Sequence, residues 1–228
     1  MRHSMIRFAV SRAFLLVAVA LVATGCATQQ AYDYTAFRQS RPSSILVLPP
    51  LNSSPDVKAT NSVLSQVTYP LAESGYYVFP VTLVNETFRQ NGLANAGEIH
   101  EVAPAKLHEI FGADAALYIT VQQYGTTYAV IASESRVTAT ARLVDLLTGS
   151  VIWSGTATAS SAEGRNSSGG LIGVLVTALV SQIIESSTNQ AHPVAGVMNG
   201  RLLTAGMPQG LLYGPRSPKY LTDGNMRP

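Results

Sequence analysis

The first 26 residues constrain this chain most, because they determine the compartment in which the rest of it folds. Three arginines, Arg2, Arg7 and Arg12, precede an uninterrupted apolar run over 13–22. Small residues then lead to Cys26, the single cysteine of the chain. Basic, apolar and small segments in this order are typical of a secretory signal peptide. The apolar run is too short to cross a bilayer, which needs about 20 apolar residues.

The stretch Ala23-Thr24-Gly25-Cys26 resembles the lipobox of bacterial lipoprotein signals, with alanine at position 23 where leucine is usual. The resemblance implies cleavage between Gly25 and Cys26 and acyl chains on Cys26, which becomes the first mature residue. Acyl chains anchor a soluble domain by about 0.8 kcal/mol per buried methylene. The alternative, a buried helix that ends at a cysteine by chance, leaves the three arginines unexplained.

Ala27 follows the cysteine, where lipoproteins retained in the inner membrane typically have aspartate. By the same resemblance we expect a protein anchored by lipid in the outer membrane. The domain is expected to face the periplasm, and exposure on the cell surface is the alternative.

Composition limits the partners and the source of stability. Removal of the signal would leave roughly 200 residues, enough for one domain with a substantial core. The chain has 15 basic and 13 acidic residues, and three arginines lie in the signal, so the remainder is slightly acidic. No basic patch indicates a nucleic-acid partner. With its one cysteine lipidated, the chain can form no internal disulfide and must be stabilised by packing.

The residues after the signal fall into three parts. Polar residues without apolar periodicity predict a lipidated tether over 26–43, and an α/β domain is predicted over 44–205. Glycine and proline predict an irregular tail over 206–228. The expected points where this tail docks are Leu211, Leu212, Tyr213 and Tyr220.

The domain opens with a β-α-β pattern. The apolar run over 44–50 predicts a buried strand, and 76–81 predicts a second strand parallel to it. Asp56 is expected to cap the helix between them, which Pro70 should kink and Gly75 should end. The residues on the apolar face of this helix are Val63, Leu64, Val67 and Leu71.

Two helices and three strands are predicted next. Residues 84–90 form a short helix, and after a loop through Gly97 a second helix begins at Pro104. The residues expected to face inward are Leu107, Ile110 and Phe111. Alternating apolar and polar residues then predict antiparallel strands over 115–124, 137–143 and 151–159, the last two joined by a turn over 145–149.

These patterns predict one α/β domain, two-layer or three-layer-like, with a mixed sheet and the element order β-α-β-α-α-β-β-β-α-α. Alanines on the apolar face of the antiparallel strands should let a helix approach closely. That helix is predicted at Leu171–Glu185, which is short for a membrane span, although its wide apolar surface could also serve a subunit contact. A weaker helix is predicted over 193–203.

Three stretches resemble a family of bacterial outer-membrane lipoproteins of unknown function. They are 70–80, with Gly75-Tyr76-Tyr77-Val78-Phe79-Pro80 as its most specific part, the hairpin from Arg142 to Trp153, and Gly214-Pro215-Arg216. The hairpin alone is also similar to curli-secretion-channel lipoproteins and to the N-terminal domain of the Tol-system translocation protein. The resemblance implies a compact α/β domain like that Tol domain, and an accessory role in envelope assembly or transport.

Catalytic, metal and cofactor sites are not predicted. His100 and His108 lack metalloprotease spacing, and Pro104 separates them, so both are interpreted as surface histidines. The loop over 167–170 lacks the Gly-x-Ser-x-Gly elbow of a nucleophile. Asp114 and Asp145 lie at strand ends, where turn roles suffice.

The polar face of the antiparallel strands is the one candidate binding surface. If no helix covers it, this face presents amphipathic side chains of the kind enriched in interfaces, namely Tyr118, Gln122, Tyr124 and Arg142. The alternative is an ordinary solvated face. On the interface hypothesis, replacing Tyr118 and Tyr124 by alanine weakens a partner complex and leaves thermal stability nearly unchanged. Loss of folding would indicate core residues instead.

Three functions are compatible with the sequence. The first is a membrane-anchored, non-enzymatic subunit or accessory of an envelope assembly or export complex, with an envelope protein or a second copy as partner. The second is a periplasmic module that binds a small or lipidic ligand in a pocket between the helix over 171–185 and the sheet. The third is a hydrolase whose site is not recognisable from residue spacing.

Overall fold

The computed structural model describes residues 32–127, 133–163 and 190–223. A six-stranded sheet lies at the centre, in the order β3-β1-β4-β5-β6 with β2 also paired to β4. Its parallel part joins β1 to β3 and β4, and its antiparallel part joins β4, β5 and β6. This mixed sheet confirms the predicted fold class. The strands are β1 (Ser44–Val47), β2 (Leu51–Asn52), β3 (Tyr77–Val78), β4 (Ala115–Thr127), β5 (Glu134–Asp145) and β6 (Val151–Ser160).

Helices lie on both faces of the sheet. The described helices are α1 (Thr35–Ser40), α2 (Ala59–Leu64), α3 (Thr68–Glu73), α4 (Val81–Gln90), α5 (Ala96–His100), α6 (Pro104–Phe111) and α7 (Ala191–Leu203). Apolar residues of α4, α5 and α6 form one core with Leu46, Leu48 and Ala116. On the opposite face, α2 contacts β4, and α7 contacts β5 and β6. Within the described ranges, no helix is long and apolar enough to cross a bilayer.

The helix predicted between the first two strands is two helices. α2 ends at Leu64 and α3 begins at Thr68. In one continuous helix the ring of Pro70 would clash with the carbonyl of Gln66, four residues earlier, whereas proline is tolerated in the first turn of a new helix. The prediction of a kink at Pro70 was therefore wrong, because the break falls before it.

The two ends of α6 agree with the prediction, but the exposure of one of its residues and the structure of the preceding loop do not. Pro104 begins α6 and Gly112 ends it in the left-handed conformation. Leu107 is buried as expected, whereas Ile110 is exposed. The loop predicted through Gly97 instead contains α5, whose Asn95 side chain accepts a hydrogen bond from the Gly97 backbone N–H.

The expected tether contains α1, so the folded part of the chain begins before Ser44. Phe37 is buried, and the Ser40 hydroxyl donates a hydrogen bond to Asp145. Arg41 ends the helix with a φ of 45°. Two adjacent apolar residues, Ala36 and Phe37, on six helical positions produce no periodicity, so the sequence pattern did not reveal this helix.

α7 occupies the alanine face of the sheet, where the helix Leu171–Glu185 was expected. Its Leu202 side chain would lie 3.4 Å from a Cβ placed on Gly155, which pairs with Ala141 across β5 and β6. Small residues thus permit the close approach that the alanines predicted. The segment 171–185 lies outside the described residues.

The tail has no helix or strand over 204–223, as predicted. Leu211 and Leu212 are buried, while Tyr213 and Tyr220 are partly buried. The Trp153 indole N–H donates to the carbonyl of Gln209. The tail is therefore docked where Leu211 and Leu212 were expected to be buried, and Gln209 adds a hydrogen bond to β6 that was not predicted.

Candidate functional site

The predicted partner face does not exist as one surface, because Tyr118 and Tyr124 lie on opposite faces of the sheet. Tyr118 pairs with Arg142, whereas Tyr124 pairs with Val137, and the register shifts by one residue at Gln122. This β-bulge reverses the inward and outward alternation of β4 beyond it. Tyr118 and Tyr124 are only 5% and 3% exposed, so the prediction of an exposed tyrosine surface was wrong. Gln122 and Arg142 are exposed.

Tyr118 belongs to the core beneath α4, α5 and α6. Its ring meets His100 edge-on with centroids 5.1 Å apart, and the Arg142 guanidinium lies 4.8 Å from its centroid. Burial lowers the pKa of His100, and its Nε2 lies 3.0 Å from the carbonyl oxygen of Pro49. The neutral ring can therefore donate its Nε2–H to that oxygen. The partial burial of His100 and its contact with the Pro49 carbonyl correct the prediction that it is a surface histidine.

The second histidine of the sequence motif also has a structural contact. Nδ1 of His108 lies 2.8 Å from the carbonyl oxygen of Ala113, just beyond the end of α6. In ranges 32–127, 133–163 and 190–223, no three His, Cys, Asp or Glu side chains are grouped so as to hold a metal ion.

Tyr124 joins a polar cluster that the sequence did not reveal. Its hydroxyl donates to Ser62, whose hydroxyl lies 2.8 Å from Nδ1 of His192. The Gln66 amide donates to the carbonyl of His192. A serine beside a histidine is the contact that a nucleophile and its base make. Ser62 is buried and accepts from Tyr124, an arrangement that cross-links α2, β4 and α7 and holds the serine away from solvent.

A different polar surface includes Arg142 of the predicted partner face. It consists of paired residues on β5 and β6 that share the side of Arg142, and we name it the threonine face. The Thr138 and Thr158 hydroxyls are 3.0 Å apart. Arg142, Ser154 and Thr156 are exposed, so uncharged hydroxyls and one guanidinium dominate this surface. Its members are Thr138, Thr140, Arg142, Ser154, Thr156 and Thr158.

Two glycines bring together two of the three stretches that carry the family resemblance, 70–80 and 214–216. Gly214 donates its N–H to the carbonyl of Ser74, and Arg216 donates its N–H to the carbonyl of Gly75. A Cβ on Gly214 would lie 2.5 Å from the Gly75 carbonyl oxygen, and a Cβ on Gly75 would lie 2.5 Å from the Ser217 nitrogen. We call this contact of Gly75 with Gly214 the glycine clasp. Only glycine fits at either position.

A cleft of about 160 Å³ lies beside the clasp, between α1 and the tail. Tyr76 forms part of its wall and donates its hydroxyl proton to the carbonyl of Leu212. Burial raises the pKa of Tyr76, so the phenol remains protonated. Aromatic rings and two arginines share the lining, which includes Phe37, Arg38, Arg41, Tyr213, Tyr220 and Leu221. The carboxyl of Asp223 also lines this α1–tail cleft, so basic and acidic groups both face it.

Two aspartates at strand ends serve as hydrogen-bond acceptors: Asp145 has the predicted turn role, whereas Asp114 accepts from Ser43 and Ser44 at the start of β1 and not within a turn. Burial opposes ionisation of Asp114, but hydrogen bonds from Ser43 and Ser44 outweigh it and lower the pKa of this carboxyl. Burial likewise opposes ionisation of Asp145, and hydrogen bonds from Ser40 and the turn lower its pKa. Both carboxylates fix the backbone. Gly25 and Cys26, the predicted cleavage and lipidation residues, lie outside the described residues.

Comparisons with known proteins identify the family. Residues 32–216 match the family described as "Putative lipoprotein GNA1162-like". The "Putative lipoprotein NMB1124/NMB1162" of Neisseria meningitidis serogroup B is 51% identical over 203 residues, which cover 88% of this chain and 94% of that protein. The crystal structure of lipoprotein GNA1162 from Neisseria meningitidis is 54% identical with a TM-score of 0.53, covering 64% of this chain and 100% of that one. The chain therefore belongs to the GNA1162-like lipoprotein family.

Proposed function

We propose that this lipoprotein is a non-enzymatic subunit or accessory of an envelope assembly or export complex. In this proposal acyl chains on Cys26 anchor it to the outer membrane, and its domain faces the periplasm. Membership of a lipoprotein family supports the anchor. The lipobox and Ala27 favour the outer membrane.

The threonine face is the observation that carries the partner role. Its exposed residues offer hydroxyl groups and one guanidinium on a rigid antiparallel sheet. Such groups bind a protein surface by hydrogen bonds without the desolvation of several charges. The Arg142 guanidinium, held over the Tyr118 ring, supplies the directional contact that arginine often makes in interfaces.

The chemistry of the described polar clusters also favours a non-enzymatic role. Ser62 is buried, and its contacts with Tyr124 and His192 lie on the helix-covered face of β4. Asp114 and Asp145 are engaged by backbone and hydroxyl donors at strand ends. These groups stabilise the fold and present no acid and base pair to a cleft.

The ligand-carrier function was predicted for a pocket between the sheet and residues 171–185, which lie outside the described residues; the α1–tail cleft is a different cavity. The α1–tail cleft, at about 160 Å³, has the size of an engineered cavity of about 150 Å³ that holds benzene. Pockets that enclose a drug-sized ligand measure roughly 300–1,000 Å³. The cleft therefore suits one ring or a short chain better than a lipid cargo.

Site-specific cross-linking in intact cells tests the partner role. A photoreactive amino acid at Thr156 should give a stoichiometric adduct with one envelope protein, because this residue is exposed on the threonine face. The adduct should be lost with Thr140→Lys, because Thr140 pairs with Thr156 and the substitution places a long charged side chain beside the label. It should also be lost with Cys26→Ala, which removes the anchor. Mass spectrometry identifies the partner.

Val57 provides the matched control position, since it is 86% exposed and lies on a loop before α2. The same photoreactive group at Val57 should give no such adduct. Recovery of the protein alone from both positions, or equal adducts at both, would contradict the proposed role of the threonine face.

A further inference from the structure

Three exposed apolar side chains lie at or beside the end of the sheet where β1, β3 and β4 begin, which we name the entry end. β5 ends there and β6 starts there, joined by the turn that contains Leu147. Leu147 is 72% exposed and Val151, at the start of β6, is 50% exposed. Leu221, on the tail, is 59% exposed and lines the α1–tail cleft.

These apolar residues lie on neighbouring elements. Ser40, the last residue of α1, donates a hydrogen bond to Asp145 at the base of the turn. The next residue, Arg41, lines the α1–tail cleft together with Leu221. The turn, the end of α1 and the tail are therefore connected across the entry end.

Basic side chains are exposed at the same end. Arg38 and Arg41 line the cleft, and Lys219 lies 5.4 Å from the ring centroid of Tyr213. Arg216 lies over Tyr77 at 5.3 Å. Apolar tips, tyrosines and cations on one surface are the combination that binds a membrane interface.

The acidic groups of the entry end are largely engaged within the protein. Asp114 accepts hydrogen bonds from Ser43 and Ser44. Asp145 accepts from the turn, and buried Asp223 accepts from the Tyr213 backbone N–H. Asp33, beside Arg38, and Glu73, at the end of α3 just before the glycine clasp, remain exposed, so four basic side chains stand against two exposed carboxylates at this end.

The chain enters the domain at this end. Only a short segment separates Cys26 from Asp33, and at full extension it spans about 25 Å. A lipid on Cys26 would therefore hold α1, and with it the entry end, within reach of the membrane surface.

We propose that the entry end docks onto the anionic phospholipid surface of the membrane that holds the anchor. Leu147 and Val151 enter the headgroup region, while Arg38, Arg41 and Lys219 contact lipid phosphates. This inference rests on the proposed lipid anchor. Docking fixes the orientation of the domain and directs the far half of the threonine face into the periplasm.

Depth-dependent fluorescence quenching tests this orientation. Because the acylated Cys26 has no free thiol, a new cysteine is the only labelling site. Lipidated Leu147→Cys and Val57→Cys proteins, purified from membranes and labelled, are reconstituted into phosphatidylethanolamine vesicles that contain brominated acyl chains and either phosphatidylglycerol or phosphatidylcholine. Val57 follows β2, which pairs with the middle of β4, and serves as the distant control.

The Leu147→Cys label should be quenched several-fold more than the Val57→Cys label in phosphatidylglycerol vesicles. High salt, or the double change Arg38→Gln with Lys219→Gln, should reduce this quenching, since both weaken attraction to anionic lipid. Thermal stability should stay unchanged in the double variant, whose replaced residues are both exposed.

Vesicle flotation separates the two ways in which the inference can fail. Protein that floats with the vesicles but shows equally weak quenching at both positions is anchored and not docked, which overturns the inference alone. Quenching at Leu147 that is indifferent to phosphatidylglycerol, salt and the double variant overturns the role of anionic lipid. Protein that does not float lacks the anchor, and both the inference and the proposed anchor are then wrong.

Discussion

Replacing Gly75 by alanine is expected to destabilise the domain by about 3 kcal/mol or more. Two costs combine at this position. The φ angle of 96° is unfavourable for a side chain, and a Cβ would lie 2.5 Å from the Ser217 nitrogen and 2.8 Å from the Gly214 carbonyl oxygen. Both neighbours are backbone atoms that hydrogen bonds hold in place. Thermal unfolding should show a melting temperature lower by roughly 6–12 °C.

Gly92→Ala is the matched control. Gly92 has a φ of 82°, similar to that of Gly75, but nothing lies within 4 Å of a Cβ placed there. This variant should therefore show only the backbone cost, about 1–2 kcal/mol. If the two variants lose equal stability, the close contact between Gly75 and the tail contributes nothing to the stability of the domain.

Tyr118→Ala is expected to cost about 3–5 kcal/mol, the range measured for large aromatic side chains removed from cores. The ring is 5% exposed and packs in the cluster formed by α4, α5 and α6. The loss of stability should appear in denaturant unfolding as a lower midpoint with an unchanged slope. This expectation replaces the one drawn from the alternating pattern, which placed Tyr118 on a solvated face.

Arg142→Gln is the control for that experiment. It removes the cation over the Tyr118 ring but leaves the ring buried, so the loss should be about 1 kcal/mol or less. If the Tyr118→Ala protein is as stable as the Arg142→Gln protein, Tyr118 lies on the surface and the predicted partner face is correct.

Local signals explain which parts of the fold were predictable. Pro104 and Gly112 mark the two ends of α6 because each has a conformational reason to stand there. The turn after β5 was predictable because Gly149 takes a φ of 73° and the Asp145 side chain accepts N–H groups of the turn. These signals act between residues that are close along the chain, so they can be recognised from the sequence alone.

Non-local effects explain the errors. The bulge at Gln122 depends on the pairing of β4 with β5, and it reverses the alternation that the pattern of β4 implies. α1 is held by contacts of Phe37 and Ser40 with distant elements, which a sequence of six residues does not encode. The position of α7 on the alanine face likewise follows from tertiary packing. Of the predicted partner face, Gln122 and Arg142 are exposed, whereas Tyr118 and Tyr124 are buried on opposite faces of the sheet.

The glycine clasp gives a physical reason for two of the three stretches that resemble the lipoprotein family, 70–80 and 214–216. They are far apart along the chain, yet Gly75 and Gly214 meet with backbone atoms in contact. A larger residue at either site would separate the tail from β3 and open the α1–tail cleft. The resemblance at these stretches therefore reflects how the tail closes the fold, and it does not by itself indicate a catalytic site.

The mass of the mature amino terminus tests the central claim most directly. Protein purified from outer-membrane and soluble fractions would be measured intact and after proteolysis, beside the Cys26→Ala variant. We predict a chain that begins at Cys26, carries acyl groups on that residue and is recovered with the outer membrane, whereas Cys26→Ala lacks the modification and loses this location. A mature chain with an unmodified Cys26, recovered in the soluble fraction, would contradict the account of an anchored accessory protein.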